Sequence, residues 1–154
     1  MFIYSIEQNP ETPVFISKAL HVTACDPVVA NSTHAFVTLH SYTGCNAGMN
    51  NKLMIYDIQD VKNPLLISER DLLEPKGLAL SGNYLFICDK SDIVIFDVSN
   101  PKNVKVMKTI PNIPARDMII DGNNLFAFTA TAVYQFNIDF SNIENIMQTS
   151  LLVL

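Results

Sequence analysis

Three cysteines, three histidines and a scatter of carboxylates are the side chains in this sequence best suited to hold a metal, attack a carbonyl or move a proton. No two of Cys25, Cys45 and Cys88 stand at the C-x-x-C spacing of zinc or redox sites, so the cysteines do not read as a metal centre. Of His21, His34 and His40, the last two lie six residues apart along one strand-like run, too far to chelate one ion by themselves. His40 opens a Gly/Asn-rich segment and could join Cys45 or Asp26 in a site at the loop face, but strand or loop histidines without ligand duty are the simpler expectation. Asp89 and Asp92 flank a short turn and would serve as an acid–base pair only if a pocket formed around them; a structural role is the simpler expectation. Asn31-Ser32-Thr33 is formally a glycosylation sequon, but it occupies a hairpin turn that explains it without a sugar. No nucleophile elbow, HExxH helix, P-loop or dinucleotide fingerprint is present, and no motif calls for a cofactor.

The elements that would have to position these residues follow from an internal period. Tyr56-Asp57-Ile58, Phe96-Asp97-Val98 and Phe136-Asn137-Ile138 stand forty residues apart, as do Ser81-Gly82-Asn83-Tyr84-Leu85-Phe86 and Asp121-Gly122-Asn123-Asn124-Leu125-Phe126. An earlier copy, Val28 to Phe36, aligns with Leu78 to Phe86 at an offset of fifty, so ten extra residues sit in an enlarged loop within His40–Lys52. Tyr4-Ser5-Ile6, followed by Pro10 and Pro13, resembles the second half of a further copy. The reading is a half repeat over 1–22, then repeats over about 23–72, 73–112 and 113–154. Within the middle repeat the runs Lys76–Ser81, Tyr84–Asp89, Asp92–Val98 and Val104–Ile110 are short, β-branched or aromatic, and bounded by turn residues. Four antiparallel strands per forty residues is the arithmetic of a β-propeller blade, which cannot cover its own faces and must stack on its neighbours. A β-sandwich also shows evenly spaced strands, but it does not require self-similarity at a constant interval. The expected fold class is therefore all-β, a partial propeller of about three and a half repeats.

That topology gathers particular residues. In a four-stranded blade the loop entering the first strand and the loop joining the second and third strands share one face. Cys25-Asp26-Pro27, Glu74-Pro75-Lys76-Gly77 and Pro114-Ala115-Arg116-Asp117 are the equivalent first-strand segments nearest the axis. Asp26, His40, Lys76, Arg116 and Asp117 are accordingly the expected binding residues, a mixed-sign patch beside one long loop. Cys25 and Cys45 fall on the same face, where a disulfide would staple the enlarged loop and imply an oxidising compartment; the alternative is two free thiols. Cys88, in an apolar strand, reads as a small buried hydrophobe. Asp57 and Asp97 end equivalent strands and are expected to anchor the turns that follow.

The segments Leu53-Met54-Ile55-Tyr56-Asp57-Ile58, Ile93-Val94-Ile95-Phe96-Asp97-Val98-Ser99-Asn100-Pro101 and Ser81-Gly82-Asn83-Tyr84-Leu85-Phe86-Ile87-Cys88-Asp89 resemble the LVIVD repeat of bacterial propeller proteins. The pattern departs from the family at Asn137, where Asp is usual, and at Ser5 in the half repeat. The resemblance implies export to the periplasm or cell surface, often as a lipoprotein, and no assigned activity.

Composition bounds the rest. The 154 residues are 49% hydrophobic and 16% charged, which excludes disorder, and the net charge of −5 gives no basic field for nucleic acid. No apolar run reaches the roughly 18 residues of a spanning helix, and Met1 to Ile6 lacks the basic residues of a signal peptide, so a literal reading also leaves a cytoplasmic chain open. The expected function is a non-catalytic module binding a protein or glycan partner. A fragment of a propeller hydrolase or lyase, using His40, Asp26 and Arg116, and a structural spacer without ligand are the rivals. Two copies would total seven blade-equivalents, and the open blade edges offer surfaces for self-association.

Overall fold

The computed structural model describes residues 1–19, 27–40 and 50–154. Every element among them is a β-strand, and no described helix is long and apolar enough to cross a membrane. Strands β1 (Phe2–Ser5) and β2 (Val14–Lys18) pair as a two-stranded half-blade. A first blade follows with β3 (Val28–Ala30), β4 (His34–Leu39), β5 (Lys52–Asp57) and β6 (Leu65–Asp71). The second comprises β7 (Pro75–Ser81), β8 (Tyr84–Asp89), β9 (Asp92–Asp97) and β10 (Lys105–Ile110). The third comprises β11 (Asp117–Asp121), β12 (Asn124–Phe128), β13 (Ala132–Ile138) and β14 (Ile146–Val153). Each blade is an antiparallel meander in chain order, so the forty-residue period is one four-stranded sheet.

The period also governs packing. Tyr56, Phe96 and Phe136, the residues that define the repeat, are each buried in a successive inter-sheet core. The first core joins Ala19 of the half-blade region to Ala35, Val37 and Tyr56. The second joins Phe36, Leu53 and Ile55 of the first blade to Leu78, Leu85, Ile87 and Phe96 of the second. The third joins Phe86, Ile93 and Ile95 to Met118, Leu125, Phe136 and Ile138. Each blade thus has a leading face, carrying Phe36 or Phe86, and a trailing face, carrying Tyr56, Phe96 or Phe136. A leading face always meets the next trailing face. Fully burying one such Phe or Leu contributes about 1.5–3 kcal/mol, which explains why sheets apolar on both faces stack instead of standing alone.

Outer strands add polar struts between blades. The Ser17 hydroxyl donates to the Val61 carbonyl. Arg70 on β6 donates to the Val104 carbonyl at 3.1 Å and lies 5.1 Å over the Phe96 ring. Lys108 on β10 donates to the Glu144 carbonyl at 2.5 Å, and Val104 and Glu144 are again forty residues apart.

The turns behave as their residues dictate. Asp57 and Asp97 accept from the Gln59 and Ser99 amides at 2.9 and 2.8 Å. In the half-blade Ser5 takes the same role toward Glu7 at 3.4 Å. Beyond Asn137 the anchor moves to Asp139, which accepts from the Ser141 amide at 2.9 Å, so the two departures from the repeat keep its turn chemistry. The Ser99 amide and hydroxyl hold the Asp97 carboxyl, and the Ser141 hydroxyl and amide hold that of Asp139, below the ordinary range. Gly82 and Gly122 take φ near +56° and +55° in the equivalent first hairpins, a conformation that favours glycine.

Candidate functional site

The loop face nearest the axis carries a cavity of about 280 Å³ lined by Pro27, His40, Lys76, Gly77, Arg116 and Asp117. Three blades contribute two residues each, because β3, β7 and β11 are the innermost strands and all begin on this face. Of the residues expected from sequence, His40, Lys76, Arg116 and Asp117 come together here; Asp26, Cys25 and Cys45 lie outside the described residues.

The frame beneath the cavity is rigid for identifiable reasons. The buried Thr38 hydroxyl donates to the Lys76 carbonyl at 2.8 Å, tying the first blade to the second. The Gly77 amide donates to the Arg116 carbonyl at 3.0 Å, tying the second to the third. Asp89, buried at the end of β8, accepts from the Leu73 amide at 3.0 Å and the Glu74 amide at 2.6 Å, fixing the segment that leads into Lys76. It does not pair with Asp92, which sits opposite it in register and accepts from the Asn112 amide at 3.1 Å. Both carboxylates therefore hold backbone.

The charges at the mouth are not equivalent. Lys76 pairs with Glu74 at 3.1 Å, a partner absent from the expected set although it stands two residues away, immediately before β7. The Arg116 side chain is exposed and makes no ion pair among the described residues. Asp117 is exposed, and its Oδ1 accepts from the Met118 amide at 2.9 Å. A mouth of this kind can receive a carboxylate on Arg116 and a donor on Asp117. Among the described residues no group of three or more His, Cys, Asp or Glu is arranged to hold a metal.

Cys88 lies fully buried under this region. Burial pushes its thiol up to about 12, the charge of Asp117 adding to the shift and Lys76 opposing it. Iodoacetamide at pH 8 should spare Cys88 in the folded chain and label it after denaturation, as read by peptide mass mapping. Labelling of Cys88 in the native chain at the rate of a free thiol would contradict the buried placement.

Comparison with known proteins places the chain. The LVIVD-repeat model matches residues 75–110, which is the second blade from the first residue of β7 to the last of β10. No curated protein matches the sequence. Among solved structures, a protein of unknown function from Desulfotomaculum acetoxidans DSM 771 superimposes with a TM-score of 0.74 at 16% identity, over 99% of this chain and 48% of that one. The periplasmic gluconolactonase of Pseudomonas aeruginosa superimposes with a TM-score of 0.70 at 14% identity, over 99% and 47%. The chain spans about half the length of these structures, and at such identities the likeness is one of fold. Its middle blade is an LVIVD repeat, and the chain is an arc of β-propeller built from that blade and its copies.

Proposed function

We propose that this arc is a non-catalytic recognition module whose axial loop face binds a protein or glycan partner through an acidic group. The observation that carries the reading is the convergence of three blades on one cavity where Arg116 is exposed and free of an ion pair among the described residues. A guanidinium presents a planar fork suited to a carboxylate, whereas Lys76, already engaged by Glu74, supplies background charge. An exported setting, at the periplasm or cell surface, belongs to the same reading and is supported by the LVIVD repeat.

Acidic-peptide and bacterial-glycan arrays probed with the intact chain test it. Arg116→Ala should weaken binding at least tenfold, and Lys76→Ala less, with unchanged melting temperatures since both side chains sit at a solvated rim. Binding unaffected in the double variant would defeat the assignment. Turnover of a lactone or glycan that vanishes in His40→Ala would replace it with the hydrolase reading, which the shared cavity of His40 and Arg116 keeps chemically reasonable.

A further inference from the structure

A second cavity, of about 390 Å³, lies between the second and third blades at the end of the strands away from the axial mouth. It sits where β7 turns into β8 and where β9 ends, so the length of β7 separates it from Lys76. Ser81, Asn83, Asp97 and Ser99 of the second blade make its wall polar, and Tyr84 of β8 with Phe140 of the third blade makes it aromatic. The two rings stack 26° from parallel with centroids 6.1 Å apart. Each is half-buried, packing on the inter-blade core and lining the cavity. The fold does not require this pair. Tyr84 stands opposite Asp97 as His34 stands opposite Asp57. Phe140 is the second residue of a turn in which the Asn142 amide donates to the Asp139 carbonyl at 3.0 Å. Asn103 to Asn100 and Asn63 to Asp60 close the equivalent turns, whose second residues are Pro101 and Val61. The junction of the first and second blades thus carries His34 and Pro101 at these two places, and its core closes without an aromatic pair.

We propose that this cavity is a saccharide site that takes an uncharged pyranose unit of a glycan, separate from the acidic-group site on the axial face. A pyranose has a face of C–H groups, which packs on an aromatic ring, and a rim of hydroxyls, each both donor and acceptor. Tyr84 and Phe140 supply the apolar platform. Asp97 supplies the acceptor: the Ser99 amide donates to it at 2.8 Å and helps to keep it ionised. A carboxylate has about four acceptor positions, so it retains capacity for sugar hydroxyls. Asn83 is exposed and offers an amide that both donates and accepts. No lysine or arginine lines the cavity, so an anionic ligand would meet only the like charge of Asp97. A quaternary ammonium would suit the rings and the carboxylate, but it has no hydrogen-bonding groups to match Ser81, Asn83 and Ser99. A neutral polyhydroxylated ring matches both halves of the wall.

Amide NMR spectra of the isotope-labelled intact chain, titrated with neutral trisaccharides of glucose, galactose, mannose and N-acetylglucosamine, test the proposal. At least one is expected to bind with a dissociation constant of about 1 mM or tighter and to shift the amides of Gly82, Tyr84, Ser99 and Phe140. Phe140→Val, which installs the residue of the equivalent turn in the first blade, should weaken that binding at least tenfold. Circular dichroism melting curves must show the variant folded. Asn83→Ala, at an exposed turn position, should weaken binding severalfold with an unchanged melting temperature, which a merely structural role for the cavity would not produce. No binding of any of the four sugars at about 10 mM would overturn the proposal. Shifts confined to Lys76, Gly77 and Arg116 would overturn it as well, by placing the sugar on the axial face. Choline that shifts the same amides while the sugars do not would overturn it in favour of an ammonium cage.

Discussion

Gly77→Ala is expected to destabilise the chain by about 3 kcal/mol, the sum of overpacking and a weakened inter-blade hydrogen bond, and to lower its melting temperature by about 6–12 °C. The residue is a glycine for closeness of approach. A Cβ at this position would stand 2.3 Å from the Asp117 carboxylate Oδ1, 2.7 Å from the Asp117 Cα and 2.9 Å from the Arg116 carbonyl oxygen. The carboxylate can swing aside, but the other two atoms are backbone, so β11 must move as a body. That movement stretches the 3.0 Å bond from the Gly77 amide to the Arg116 carbonyl, one of the ties that close the axis. Because Arg116 and Asp117 also line the cavity, ligand binding should fall together with stability. Gly82→Ala provides the contrast: its Cβ meets nothing within 4 Å, and its cost is limited to the strain of a positive φ, about 1 kcal/mol. Thermal melts of the two variants separate the causes. A Gly77→Ala chain as stable as wild type would show that the innermost strands are not in the close register described.

The difference between these two glycines shows what the sequence could convey. Ser81-Gly82-Asn83 recurs as Asp121-Gly122-Asn123 and announces a hairpin through local chemistry, so the turn, its flanking strands and the blade were all legible. Strand limits agree within a residue: Lys76–Ser81 against Pro75–Ser81, Asp92–Val98 against Asp92–Asp97, Val104–Ile110 against Lys105–Ile110. Repetition encodes local geometry well because every blade solves the same packing problem. Gly77 belongs to the other category. Nothing near it in sequence marks a close approach, since the atoms it must accommodate come from the next blade, forty residues on. Glu74 stands two residues from Lys76, and its pairing with it is fixed by side-chain placement. The convergence of His40, Lys76, Arg116 and Asp117 was legible from topology, but their unequal electrostatics required side-chain placement. Asp26 and the Cys25–Cys45 pairing fall beyond the described residues and keep the standing of expectations.

Removing the Asp89 carboxylate should cost nearly as much as crowding Gly77. Asp89→Ala is expected to lose about 2–4 kcal/mol, because hydrogen bonds to a charged acceptor contribute about 1.5–3 kcal/mol each and these share one carboxylate. Both carboxylate oxygens face the Leu73 amide, at 3.0 and 3.1 Å, and Oδ1 also takes the Glu74 amide at 2.6 Å. Lys90, held at φ of 60°, closes the same corner by donating its amide to the Glu74 carbonyl at 3.0 Å. Without the carboxylate, two part-buried amides lose their acceptor, and the 73–76 segment is left to the Lys90 bond, the Asn51 side chain on the Leu73 carbonyl at 2.5 Å and the Thr38–Lys76 bond. Asp89→Asn keeps one oxygen acceptor in place and should cost about half as much, so the order wild type, Asn, Ala in urea midpoint is the diagnostic. An acid–base role would invert that pattern, with Asn as damaging to function as Ala while stability stayed near wild type. Equal stability in all three chains would mean that the amides find other acceptors, and that Lys76 reaches the cavity mouth without the anchor assigned to it here.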